Sequence, residues 1–137
     1  MRRARLTPLR ASGASVVTDA EQAASPEFRV DVAPERELVR VCPVGEVDLG
    51  TAERLEAVIK ELVAVGFAGL VLDLRETTFL DSTGLRLVLG AHARSAEDGW
   101  SFAIVPGSRD VQRAFDVAGL TERLPFVAPS AYRQAVA

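Results

Sequence analysis

Apolar and polar positions first alternate, then recur every three to four residues, then crowd together. In "FRVDVAPERELVRVCPVGEVDL", Phe28, Val30 and Val32 alternate with Arg29 and Asp31, which predicts a half-buried strand. "APERE" predicts a turn and "LVRVCPV" a second strand, together a hairpin. Pro43 has no N–H to give to a ladder, so an edge or a bulge is expected there. Over "GTAERLEAVIKELVAVG", Leu55, Val58, Ile59, Leu62 and Val65 share one stripe, while Glu53, Arg54, Glu56, Lys60 and Glu61 lie elsewhere. That is a helix, with Asp48 or Thr51 available to cap its start and Gly66 to close its end.

"GLVLDL" (Gly69–Leu74) is a nearly continuous apolar run, typical of a central strand covered on both faces. "RETTFLDSTG" connects it to a second helix with Leu85, Val88, Leu89 and Ala93 inward. "WSFAIVPG" predicts a strand, and "SRDVQRAFDVAG" a third helix with Val111, Phe115 and Ala118 inward and Gly119 at its end. "LPFVAPSAYRQAVA" predicts a last short strand and a terminal helical turn. The order β-β-α-β-α-β-α-β-α implies an α/β fold. Its mixed sheet has four to five strands, an N-terminal hairpin and a parallel centre, flanked by about four helices. Residues 1–25 show no period and are expected to be a disordered tail, with one domain over 26–137.

Composition narrows the function classes. Aromatics are 6% of the 137 residues, so the core must be aliphatic. Net charge is −3, although the segment before Pro26 carries four arginines against Asp19 and Glu21; the domain itself is therefore acidic and a poor partner for a phosphate backbone. Cys42 is the single cysteine and excludes an intrachain disulfide; inside an apolar run it reads as a small buried hydrophobe, in keeping with a cytoplasmic protein. The longest nearly uncharged stretch, "LVAVGFAGLVL", falls short of the roughly 20 residues a membrane span needs. The Arg-rich start has no apolar core of a secretory signal.

The sharpest local feature is "FLDSTGL", Phe79–Leu85. As a nucleophile, Ser82 needs a base within hydrogen-bond reach. The one histidine, His92, lies ten residues further along the same predicted helix, roughly 15 Å away at about 1.5 Å per residue. There is no G-x-S-x-G elbow, no P-loop spacing and no cluster of metal ligands, so no catalytic residue, metal or cofactor is expected. His92 falls on the apolar stripe and reads as partly buried with one backbone partner. Two readings of Ser82 stand. Ser and Asp are preferred helix caps, so Asp81, Ser82 and Thr83 before a helix need no further role. Gly84, however, costs about 0.8–1 kcal/mol in a helix relative to Ala, and its bare backbone would admit another molecule close to the Ser82 hydroxyl.

"GEVDLGTAERL", "LVLDLRETTFLDSTGLRLVLGAH" and "VQRAFDVAGL" together resemble the STAS domain, in particular the bacterial anti-sigma factor antagonists, from about Phe28 to the C-terminus. The resemblance implies the STAS fold and a non-enzymatic, partner-switching role. Ser82 matches the family's phosphorylated serine, flanked by Asp81, Thr83, Gly84 and Leu85. Gly45, Glu46, Val47 and Asp48 match the loop beside it, and Arg86 falls on the same implied docking face. The implied partners are an anti-sigma factor that is a serine kinase with an ATP-binding fold, and a serine phosphatase that resets the switch. No direct nucleic-acid contact and no membrane span are implied. The alternative is a structural STAS subunit of a stress-signalling or lipid-transport complex, indifferent to Ser82.

Overall fold

The computed structural model describes residues 28–136; the expected tail, residues 1–25, lies outside the described residues. In chain order the elements are β1 (Arg29–Glu35), β2 (Leu38–Val47), α1 (Ala52–Val65), β3 (Gly69–Asp73), β4 (Thr77–Leu80), α2 (Ser82–Asp98), β5 (Ser101–Val105), α3 (Arg109–Val117), a 3-10 turn (Thr121–Arg123) and α4 (Tyr132–Ala135). The hairpin is antiparallel and closes through Glu35 opposite Leu38. β3 and β5 continue the sheet in parallel, in the order β1-β2-β3-β5. The expected mixed sheet with a parallel centre is the observed one.

The fifth strand is not the expected one. "LPFV" makes only a single bridge, Ile104 to Phe126, whereas Thr77–Leu80, assigned to a connection from sequence, forms β4. The cause is the length of β2. Its first half pairs with β3 through Val41, and its second half, Gly45–Val47, runs on past β3 and pairs with β4. Pro43 falls in the gap between these two partners, inside a central strand rather than at an edge. The Gly45 N–H reaches Glu76 O on the β4 side, so the Pro43 nitrogen two residues earlier faces the gap, where no ladder bond is lost. Its carbonyl accepts from Thr77 Oγ1 at 2.9 Å.

One sheet face carries Val39, Val41, Leu70, Leu72 and Ile104 against Leu55 and Ile59 of α1 and Val88 of α2. The other carries Leu38, Val71, Ala103 and Val105 under Tyr132 and Val136. The core is mainly aliphatic, as expected, but Phe28, Trp100, Phe102 and Phe115 are buried within it. Gly66 closes α1 with φ 108°, as expected. On α2 the inner row is Gly84, Val88, Ala91 and Ser95, and Ala93 is exposed. Ala118, also expected inward, is exposed beyond the end of α3. The Nδ1 atom of His92 is buried with no hydrogen-bond partner among the described residues, unlike the partnered histidine expected.

Beneath the second face lies a charged network. Asp73 is 3% exposed. It accepts from Arg75 Nη2 at 2.7 Å and from Arg40 Nη1 at 3.2 Å. Burial pushes the Asp73 carboxyl up, but hydrogen bonds from the Arg75 side chain and backbone and from Arg40 outweigh it and hold the carboxyl below its ordinary value. A depressed folded pKa stabilises the fold above the unfolded value near 3.9 and loses that contribution as pH falls through the folded one. The arginines are partly solvated, so the expected contribution is about 1 kcal/mol. Urea unfolding of Asp73→Asn and the parent chain at pH 6 and pH 2.5 should show a stability gap at the higher pH that closes at the lower. Burial also pushes the Cys42 thiol up to about 12, and its Sγ accepts from Arg40 Nη1 at 3.0 Å, so this cysteine belongs to the same network.

Candidate functional site

The site forms where β2 runs past β3. Pairing of Glu46 with Phe79 and of Val47 with Leu80 puts the end of β2 beside the end of β4. The Asp81 N–H then donates to Val47 O at 3.2 Å. Residues 45–48 and the start of α2, separated by more than thirty residues in sequence, are thereby held side by side.

At the start of α2 the cap is Asp81, in extended conformation. Its Oδ1 accepts from Thr83 N at 2.9 Å and Gly84 N at 3.1 Å. Its carbonyl accepts from Leu85 N at 2.9 Å. Ser82 is therefore the first helical residue and not the cap. Its side chain is exposed, and its hydroxyl has no hydrogen-bond partner among the described residues. Thr83 and Leu85 are half-buried and Arg86 is exposed.

Gly84 does not open the backbone to an incoming molecule. It is buried, and a Cβ there would lie 2.9 Å from Leu80 Cγ, 3.1 Å from Val47 Cγ1 and 3.2 Å from Val47 O. Its role is close packing of α2 onto β2 and β4.

The loop is fixed by a buried hydroxyl. Thr51, 7% exposed, donates from Oγ1 to Glu46 O at 2.6 Å and accepts from Asp48 N at 3.0 Å. Asp48 Oδ1 accepts from Gly50 N and Thr51 N, and its carbonyl accepts from Ala52 N at 2.8 Å. Of the two candidate caps of α1, Thr51 holds the cap position without a side-chain cap bond, while Asp48 accepts from the turn just before the helix. Leaving both Thr51 partners unpaired should cost about 1–3 kcal/mol. Thr51→Val is accordingly expected to melt lower and to exchange its Asp48 amide proton faster than Thr51→Ser, which keeps the hydroxyl; equal exchange in the two variants would remove this role.

Three large apolar side chains were not anticipated on this surface. Leu49, at the loop tip, is 79% exposed, Phe79 on β4 is 49% exposed, and Val117 at the end of α3 is 80% exposed. Phe79 and Val117 line a groove of about 560 Å³ with Leu80, Leu85, Asp110 and Arg113. Leu49 and Val117 lie off every helical stripe, which is the sequence signal of an apolar residue with no core position. Phe79 was hidden by the unread strand.

The site offers an exposed hydroxyl, three neighbouring carboxylates (Asp81, Glu46, Asp48) and no base bonded to the hydroxyl among the described residues. No helix of the described residues is long and apolar enough to cross a membrane. Similarity to known proteins agrees with this arrangement. The anti-sigma-B factor antagonist of Bacillus subtilis is 30% identical over 103 residues, 75% of this chain and 94% of that protein. The anti-sigma-F factor antagonist RsfB of Mycobacterium tuberculosis is 37% identical over 76 residues, 56% of this chain and 62% of that one. The crystal structure of an anti-sigma factor antagonist from Mycobacterium paratuberculosis superposes with a TM-score of 0.70 at 27% identity, covering 81% of this chain and 96% of that one. The profile of the STAS domain matches residues 32–131, from within the hairpin to the edge of α4. With its sheet, its helix start and its relatives in agreement, the chain belongs to the STAS domain family.

Proposed function

We propose that this chain is an anti-sigma factor antagonist controlled at Ser82. Its unmodified form docks on an anti-sigma factor that is a serine kinase with an ATP-binding fold. Phosphorylation of Ser82 by that kinase parts the two, and a serine phosphatase restores the first state. The observation that carries this reading is the unspent, exposed Ser82 hydroxyl on a helix already capped by Asp81. The names of the relatives support it.

The chain is a substrate and a binding protein in this scheme, not an enzyme. Transfer forms a bond from Ser82 Oγ to the γ-phosphorus of ATP and breaks that phosphorus's bond to the bridging oxygen; ADP leaves, and the hydroxyl proton passes to a base of the kinase. The docking face comprises Ser82, Thr83 and Arg86 with the 45–48 loop, while Gly84 and Val47 support it from inside. A phosphate adds about −1.5 to −2 charge next to Asp81. On the free domain that charge is solvated, so no refolding is needed; at a closed interface it is stripped of water. Capture from host lysate on Ser82→Ala and Ser82→Asp baits, read by mass spectrometry, tests the scheme. A kinase-fold protein held by the Ala bait and lost from the Asp bait supports it. The same partners on both baits would instead favour a structural subunit indifferent to Ser82.

A further inference from the structure

We infer that Arg86 is the intrachain partner of a phosphate on Ser82, so that modification withdraws a cation from the docking face while it adds an anion. This rests on Ser82 being the modified residue. Asp81 has already taken the Thr83 and Gly84 N–H groups, and Leu85 N is bonded to Asp81 O. The helix start thus retains little of the N–H donation that would ordinarily steady an anion there, and the carboxylate that took it repels a second charge. Beyond solvent, a side-chain cation is what can supply the missing donation.

Arg86 stands four residues after Ser82 on α2, and both are exposed. Residues at that spacing are neighbours, and an acid placed N-terminal to the base is the favoured orientation. Arg86 makes no ion pair among the described residues. Its other helical neighbours, Thr83, Leu89 and Gly90, carry no charge. The only acid that helix spacing can bring to it is one created on Ser82. Other charged groups at this end of the domain are Asp81 in the same turn, Glu46 and Asp48 on the loop that pairing with β4 brings alongside, and Asp110 and Arg113 in the groove lined by Leu80 and Leu85. Of the two arginines, Arg113 sits on another helix, and Arg86 alone shares a helix face with Ser82.

The test uses the full chain with phosphoserine placed genetically at position 82, so it needs no kinase. The phosphate's second ionisation is followed by phosphorus NMR from pH 4 to 8 in the parent, Arg86→Gln, Arg86→Lys and Arg113→Gln. The parent's second pKa is expected about 0.3–0.6 below that of Arg86→Gln. Arg86→Lys should fall between them and Arg113→Gln should match the parent. The difference should shrink in about 1 M salt, where the screening length is about 3 Å. Unmodified Arg86→Gln should melt within about 3 °C of the parent, as a surface change does. Coincident parent and Arg86→Gln titrations, or a shift that follows Arg113 instead, overturn the inference. Failure of the Ser82→Ala bait to hold a kinase-fold protein in the lysate experiment would overturn the proposed function and leave this titration standing.

Discussion

Gly84→Val is expected to lower stability by about 3 kcal/mol, whereas Gly90→Ala, six residues further along the same helix, is expected to raise it by about 0.5–1 kcal/mol. The opposite signs come from what each new side chain meets. At Gly84 the first added carbon already falls 2.9 Å from Leu80 Cγ and 3.2 Å from the Val47 carbonyl oxygen. Val47 is fully buried and Leu80 nearly so, in a sheet whose register is set by β2 on both sides. Neither wall can retreat cheaply, so the helix must move off the sheet. At Gly90 the nearest atom is the far end of Arg94, at 3.8 Å. Nothing opposes the added methyl, and the unfolded chain loses freedom. Urea unfolding of the two variants and the parent decides it: a Gly84→Val chain as stable as the parent would mean that α2 does not seat on Val47. Because the Asp81 N–H bond to Val47 O is what holds Ser82 beside the 45–48 loop, Gly84→Val should also impair docking in any fraction that folds.

Elements that repeat over three or more turns, or crowd apolar residues, were legible in the chain. α1 announces itself through Leu55, Ile59 and Leu62, all buried, and β3 through five consecutive buried residues. β4 was not legible, because Thr77 and Leu80 are buried while Thr78 and Phe79 between them are exposed, so no two-residue period survives. Its existence depends on β2 being long enough to outrun β3, which is a property of the sheet and not of "TTFL". The site divides the same way. "DSTGL" located it, but which residue caps depends on one backbone turn: Asp81 in the extended region points Oδ1 at two N–H groups, and Ser82 is left over. Gly84 was read as an opening because sequence does not tell which side of a helix end faces the sheet. The Asp73 network joins residues 33 apart, Arg40 and Asp73, and nothing local to either foretells it.

Ser82→Asp is expected to weaken binding to the anti-sigma factor about a hundredfold, close to 2.7 kcal/mol, while Ser82→Asn stays within about threefold of the parent. Asn has the shape of Asp without its charge, so the pair separates an electrostatic switch from a steric one. Ser82 is exposed, as are Leu49 just past the 45–48 loop and Phe79 three residues before the serine, so a partner docked on the proposed face covers Ser82. A carboxylate covered in that way loses its water beside the carboxylate of Asp81, and Arg86, four residues on, offsets only part of that cost. Phosphate, with up to twice the charge, should do more, about a thousandfold for a cost of about 4 kcal/mol. Repulsion between partly solvated groups is screened by salt and desolvation is not. Titration calorimetry at about 0.05 M and 0.5 M salt should therefore narrow the gap between Ser82→Asp and Ser82→Asn without closing it. Equal weakening by Asn and Asp would make shape the cause, and full affinity in both would place Ser82 outside the interface.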